Sequence, residues 1–210
     1  LKAASDFAMT GGVKLVGLTG GIASGKSTVA KILERLGAAI VNADVLAREV
    51  VEPDQEAWKD IVARFGPDVL QPDQTLDRQK LRKVIFNDPD ARKELEAIIH
   101  PRVRALAEQR IREHGASGIA IVVYEVPLLF EAKIHEWLRP VILVACDIDT
   151  QRRRLEQRDQ IDSAAAQKII DAQMSLAEKR RLADYVIENN GSLSDLERQV
   201  REVLAKIQAT

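Results

Sequence analysis

The sequence predicts an α/β domain on a five-stranded parallel sheet, with a block of helices inserted between the second and third strands. Short apolar runs at 13–19, 39–41, 119–126, 140–146 and 184–188 alternate with amphipathic helical stretches, the layout of a parallel sheet covered by helices. The first run leads directly into a glycine-rich segment and then a helix, and residues 54–114 carry helical periodicity with no convincing strand. At 210 residues the chain is long enough to bury a proper core within one such domain.

The glycine-rich segment Gly20-Gly21-Ile22-Ala23-Ser24-Gly25-Lys26-Ser27 fits the pattern G-x-x-x-x-G-K-[ST]. Its context agrees: Val13 to Thr19 reads as a short buried strand, and Val29, Ile32, Leu33 and Leu36 mark the buried face of a helix beginning at Ser27. Phosphate is well solvated by water, so a protein must offer it many donors at once, which successive backbone N–H groups at a helix N-terminus do. In such a loop Lys26 reaches the β- and γ-phosphates and the Ser27 hydroxyl takes a Mg²⁺ position.

After Gly37, a C-cap, the strand 39–41 ends at Asn42-Ala43-Asp44, which sets Asp44 at the carboxyl edge of the sheet, where ligands collect in open parallel sheets. Two readings of Asp44 stay open on local sequence: contact with the transferred phosphoryl group or its acceptor, or N-cap of a helix starting at Val45. In the helical block, Asp77 caps the helix from Arg78, and His100-Pro101 ends one helix and opens the next. The strand 119–126 runs into Pro127-Leu128-Leu129-Phe130-Glu131, whose apolar residues either line a pocket or begin a helix and bury there; Glu125 stands where a metal-water carboxylate is usual. Past the fourth strand comes a basic helix with Arg154 and Arg158 on one face, able to close over a nucleotide. One long helix is expected over 163–182 with Lys179-Arg180-Arg181 at its C-terminus, then the fifth strand and a last helix capped by Ser194.

Composition narrows the classes. Lys and Arg total 31 against 32 Asp and Glu, a net charge of −1 that offers no global field for nucleic acid or an anionic membrane. A lone cysteine, Cys146, excludes an internal disulfide, and no apolar run approaches a membrane span, so a cytoplasmic location is expected. His100, His114 and His135 have no metal-ligand spacing, and the metal expected is Mg²⁺ brought with a nucleotide. Residues ahead of Met9 read as foreign to the domain or as a leader, without the charged-then-apolar layout of a secretory signal.

Taken together, the motifs resemble the dephospho-coenzyme A kinase family over nearly all of 13–204. They are Gly17-Leu18-Thr19-Gly20-Gly21 through Ser27-Thr28, Ala43-Asp44, Phe65-Gly66, Leu76-Asp77-Arg78, His100-Pro101, Val126 to Glu131, Gln157-Arg158, and Ala183 to Ile187 with Asn189. The resemblance implies a three-layer P-loop kinase fold with a helical substrate-binding insertion and a lid, and transfer of the γ-phosphoryl of ATP to the ribose 3′-hydroxyl of dephospho-coenzyme A. It divides one domain, 1–210, into a core of 13–53, 116–149 and 183–210, an insertion of 54–115, and a lid with its following helix at 150–182. It implies Asp44, Lys26 and Arg158 as catalytic. It gives Gly20, Gly21, Ile22, Ala23, Ser24, Gly25, Lys26, Ser27, Thr28 and Arg154 to the nucleotide, Ser27 to Mg²⁺, and Arg78, His100, Leu128, Leu129 and Glu131 to the acceptor. Its partners are ATP and dephospho-coenzyme A, with no nucleic acid or membrane; oligomeric state stays open.

The chain departs from the family at two positions: Asn42 where Asp is common, and Ala23 where Gly is frequent, which costs nothing only if Ala23 has negative φ. Competing readings are another small-molecule P-loop kinase, for nucleoside monophosphates or shikimate-like acids, and a GTP-binding switch. The apolar Pro127–Phe130 segment speaks against small polar acceptors, and no Asn-Lys-x-Asp guanine reader follows a late strand.

Overall fold

The computed structural model describes residues 13–86 and 88–210, so the segment ahead of Met9 lies outside the described residues. Strands β1 (Lys14–Gly20), β2 (Ala39–Asn42), β3 (Ile121–Glu125), β4 (Val141–Ala145) and β5 (Tyr185–Glu188) form one all-parallel sheet in the order β2-β3-β1-β4-β5. Every residue of β3 and β4 is buried, which is why these runs are continuously apolar and not alternating. β1 lies between them, Gly17 opposite Tyr124 of β3 and Val141 of β4. The first-strand loop therefore emerges where the strand order switches direction, the crevice in which open α/β sheets bind ligands.

Helix α1 (Lys26–Arg35) contributes Val29, Ile32 and Leu33, and the C-terminal helix contributes Leu196, Val200, Leu204 and Ile207, to one core with Val16, Leu18, Val123 and Val144. α1 ends as the sequence predicts: Gly37 has φ 92°, its N–H bonds the Glu34 carbonyl and that of Ala38 bonds Leu33.

The chain divides into two compact units, one from the described start to Val41 and again from Ile111 to Thr210, the other Asn42–Arg110. The second unit begins twelve residues before the expected insertion start at 54. It therefore takes in α2 (Ala43–Glu49), whose Glu49 pairs at 2.7 Å with Arg110, with Val50 and Val51 buried just beyond. It also holds α3 (Glu56–Phe65) and α4 (Arg78–Phe86), the latter capped as expected by Asp77, whose Oδ1 accepts from Gln79 and Lys80 N–H at 3.0 Å. The expected break at His100-Pro101 is absent, since one 28-residue helix, α5 (Pro89–Ala116), carries Pro101 inside it. Proline removes one ladder donor and crowds the carbonyl four residues back. Arg102 reaches back to donate from Nη1 to the Ile98 carbonyl at 2.8 Å, and Val103, Ala107 and Ile111 bury beyond it, so packing overrides the local breaker.

Three other boundaries move because caps differ from expectation. α6 (Ile148–Asp159) is followed by two helices, α7 (Ser163–Asp171) and α8 (Leu176–Leu182), where one was expected. Ser175 and Glu178 form a reciprocal capping box that starts α8 afresh. The last helix, α9 (Leu193–Ala209), is capped by Ser192, whose Oγ accepts from Asp195 N–H at 3.2 Å, and not by Ser194. α2 starts two residues before Val45, with Asn42 as its cap: Asn42 Oδ1 accepts from Asp44 N–H at 2.9 Å and Val45 N–H at 3.1 Å. Among the described residues no helix is long and apolar enough to cross a membrane.

The Asn42 cap makes a direct prediction. Asn42→Ala should lower stability to urea by about 1 kcal/mol, whereas Asn42→Asp, an equally good cap, should stay within a few tenths.

Candidate active site

The loop between β1 and α1 turns through two residues in the left-handed region, Ala23 at φ 57° and Gly25 at φ 90°. Gly25 is required twice over, because a Cβ there would come 2.1 Å from Asn189 Nδ2. Ala23 pays a strain of about 1–2 kcal/mol that glycine would not. The methyl noted in the sequence therefore has an energetic consequence.

Contacts from outside hold this loop. Asn189, just past β5, donates from Nδ2 to the Ser24 carbonyl at 2.7 Å, and its own N–H is fixed on Ala145 of β4 at 2.7 Å. Arg154 of α6 donates from Nη1 to the Ala23 and Ser24 carbonyls, both at 3.4 Å, and from Nη2 to the Asn189 carbonyl at 3.2 Å. Gln173 Oε1 accepts from Ile22 N–H at 3.0 Å. Among the described residues the N–H groups of Ala23, Gly25, Lys26 and Ser27 meet no acceptor. Unused donors gathered at the first turn of a helix are an anion site.

Lys26 Nζ pairs with the Glu125 carboxylate at the end of β3, the two side chains being 14% and 5% exposed. A lysine this enclosed needs a counter-charge. The Ser27 hydroxyl is exposed at the helix start with no partner among the described residues, which suits one oxygen ligand to a hard cation that keeps water and phosphate as its others. Thr28 follows in the first helical turn, its N–H on the Gly25 carbonyl.

The other expected site residues fall into distinct places. Arg154, expected on phosphate, lies on the carbonyl side of the loop. Arg158, four residues on, is mostly exposed and grips its neighbour Asp159, with Nε and Nη2 at 2.7 and 2.9 Å. Leu128 is exposed, but Leu129 is fully buried, its Cδ1 3.0 Å from where a Cβ on Gly17 would stand. It has no surface to offer an acceptor, and that expectation is corrected: Leu129 is a core residue over β1. Glu131 is likewise turned inward. Its Oε1 is 2.8 Å from the ammonium of Lys179, a lysine 1% exposed, and accepts Met174 N–H at 3.1 Å.

In the helical unit Asp44 is exposed in the first turn of α2, and the cap role the sequence left open for it belongs to Asn42. His100 is exposed on α5. Arg78 and Arg48 line one cavity of about 560 Å³ with Gln71, Thr75 and Asp77, and neither guanidinium has a partner among the described residues. Four polar residues were not among the predicted site residues: Gln173, Lys179, Asn189 and Gln151, whose Nε2 lies 2.3 Å from where a Cβ on Gly21 would stand. Asn189 carried a signal as part of the family motif, and Lys179 was read as a cation at a helix C-terminus.

A braced loop of this pattern at the switch point of a parallel sheet defines the chain as a P-loop kinase by fold. The family model for dephospho-CoA kinase matches residues 14–195. The dephospho-CoA kinase of Geobacter sulfurreducens is 47% identical over 194 residues, 92% of this chain and 98% of its own. Among solved structures, dephospho-CoA kinase from Campylobacter jejuni superposes with a TM-score of 0.70 at 30% identity, covering 92% of this chain and 96% of that one. A Thermus thermophilus protein gives a TM-score of 0.80 at 35% identity over 93% and 98%. The chain belongs to the dephospho-CoA kinase family.

The Glu131–Lys179 pair is testable as structure. Glu131→Ala should cost about 3–5 kcal/mol in urea unfolding, because it strands a buried ammonium, whereas Glu131→Leu combined with Lys179→Met should be close to neutral. Equal losses in both variants would mean that the charge pair is not what holds this region.

Proposed function

We propose that the chain transfers the γ-phosphoryl group of ATP to the ribose 3′-hydroxyl of dephospho-coenzyme A, giving coenzyme A and ADP. The observation that carries this is the family match, which runs unbroken through both the phosphate loop and the acceptor-side motifs. The open N–H groups of Ala23, Gly25, Lys26 and Ser27 receive the phosphates, and the Lys26 ammonium exchanges Glu125 for the β- and γ-phosphate oxygens. Mg²⁺, held through Ser27 and the phosphates, supplies charge neutralisation when bound.

Phosphoryl transfer passes through a loose transition state, so positioning and electrostatics do most of the work. In this reading Asp44 aligns the 3′-hydroxyl and takes its proton late, as the new bond forms. Its carboxylate is not spent on capping α2, which supports that role. Arg158 leaves Asp159 to meet the charge moving with the γ-phosphoryl group. On the acceptor side, Arg78 with Arg48 suits the anionic diphosphate of dephospho-coenzyme A, and His100 and the exposed Leu128 offer a polar and an apolar contact. The reaction belongs in the cytoplasm and needs neither nucleic acid nor membrane.

ADP release measured with dephospho-coenzyme A, adenosine monophosphate, shikimate or no acceptor tests the assignment. Fast release with dephospho-coenzyme A alone is expected, and equal rates with all four would overturn it. Asp44→Asn should lower kcat by ~10²–10⁴-fold with ATP affinity near that of the parent. A change of only a few-fold would move the base elsewhere, with Glu125 next. Arg158→Lys keeps the charge but loses the planar fork, so kcat should fall there as well as in Arg158→Ala; unchanged kinetics in both would leave Arg158 as solvated surface.

A further inference from the structure

We infer that Gln173 is a positioning residue for nucleotide binding, held against the phosphate loop by the ion pair of Glu131 with the buried Lys179. The inference rests on the nucleotide-binding reading of the loop, and extends it to a segment that no motif of the sequence marks. Gln173 lies in the four-residue break between α7 and α8, Ala172–Ser175. A side chain on such a connection ordinarily wanders. This one is pinned through its neighbour, because Met174 N–H donates to Glu131 Oε1 at 3.1 Å, the same oxygen that lies 2.8 Å from Lys179 Nζ. Among the described residues neither Glu131 Oε2 nor Lys179 Nζ makes a hydrogen bond, so the lysine is held at Oε1 by charge alone, on the oxygen that accepts Met174 N–H.

The contacts depend on one another, starting from the most buried group. Lys179 is 1% exposed, and an ammonium removed from water persists only beside its counter-charge, so Glu131 and Lys179 fix each other. With Glu131 fixed, the backbone of Met174 is fixed, and the adjacent Gln173 is delivered to the loop. There its Oε1 accepts from Ile22 N–H at 3.0 Å. Ile22 immediately precedes Ala23, the first of the four residues whose N–H groups meet no acceptor. Without Gln173, the Ile22 amide would turn toward water or toward the ligand space, and the loop entering the strained Ala23 would lose the only side-chain anchor it has on the N–H side among the described residues.

The test is calorimetric titration with ATP and Mg²⁺, which needs no acceptor. Its four proteins are the parent, Gln173→Ala, the pair Glu131→Leu/Lys179→Met, and all three changes together. One neutral hydrogen bond sets the scale, so Gln173→Ala should weaken ATP about 2–10-fold, and the pair by a similar factor. Because both act through the same bond, the combined variant should bind ATP no more weakly than the weaker of the two. KM for dephospho-coenzyme A should not move in Gln173→Ala, and thermal midpoints establish that each variant is folded. ATP binding unchanged in Gln173→Ala, or factors that multiply in the combined variant, would overturn the inference. A parent protein that does not bind ATP would instead overturn the nucleotide-binding reading beneath it.

Discussion

A phosphate loop must satisfy two opposed demands. Its inward N–H groups have to stay unbonded so that a phosphate can take them, yet a backbone polar group left without a partner is costly wherever water is scarce. This chain meets both by bonding the rest of the loop from behind. The Ser24 carbonyl goes to Asn189, the Ala23 and Ser24 carbonyls to Arg154, and the Ile22 amide to Gln173. These three side chains come from the end of β5, from α6 and from the α7–α8 break, so much of the C-terminal half of the chain converges on a loop formed at its beginning. Gly25 then lacks a Cβ because Asn189 occupies that space.

Two lysine–glutamate pairs among the described residues of the sheet unit show how burial sorts charge by task. Both glutamates leave the C-terminal end of β3, Glu125 within the strand and Glu131 in the turn beyond it. Lys179 is sealed, and its ion pair with Glu131 is part of the frame. Lys26 keeps some solvent access and sits beside open N–H groups, so in the proposed reaction its ammonium can turn from Glu125 to an anion. Chemically identical pairs thus form a fixed strut in one place and, in the proposed reaction, an exchangeable counter-charge in the other.

Much of this was legible in the sequence, because periodicity and the loop pattern are local. The five strands, α1 with its Gly37 end, and the Asp77 cap all lie where apolar spacing and turn chemistry put them. Locally ambiguous signals went astray. Pro101 reads as a breaker until Val103, Ala107 and Ile111 are seen to bury on the same helix. The α7–α8 break was readable in Ser175-x-x-Glu178, but the helical periodicity on either side concealed it. Leu128, Leu129 and Phe130 form one apolar run, yet only the fold decides that the first faces water and the other two the core. Least legible were the long-range polar partners. Arg154 resembled its neighbour Arg158 on the same helix face, and Lys179 resembled any cation at a helix end, until the fold set them against Ser24 and Glu131. Such pairings join residues far apart in the chain, and nothing in the spacing of either partner announces the other.

The proposed reaction is defined by where the phosphoryl group goes. Phosphorus NMR of the products formed from dephospho-coenzyme A and ATP measures this directly, since a new monoester on the ribose couples to the proton of the carbon that bears it. One new phosphomonoester is expected, coupled to the ribose 3′ proton and formed in step with ADP. Inorganic phosphate without an ester, or a monoester at any other oxygen, would contradict it.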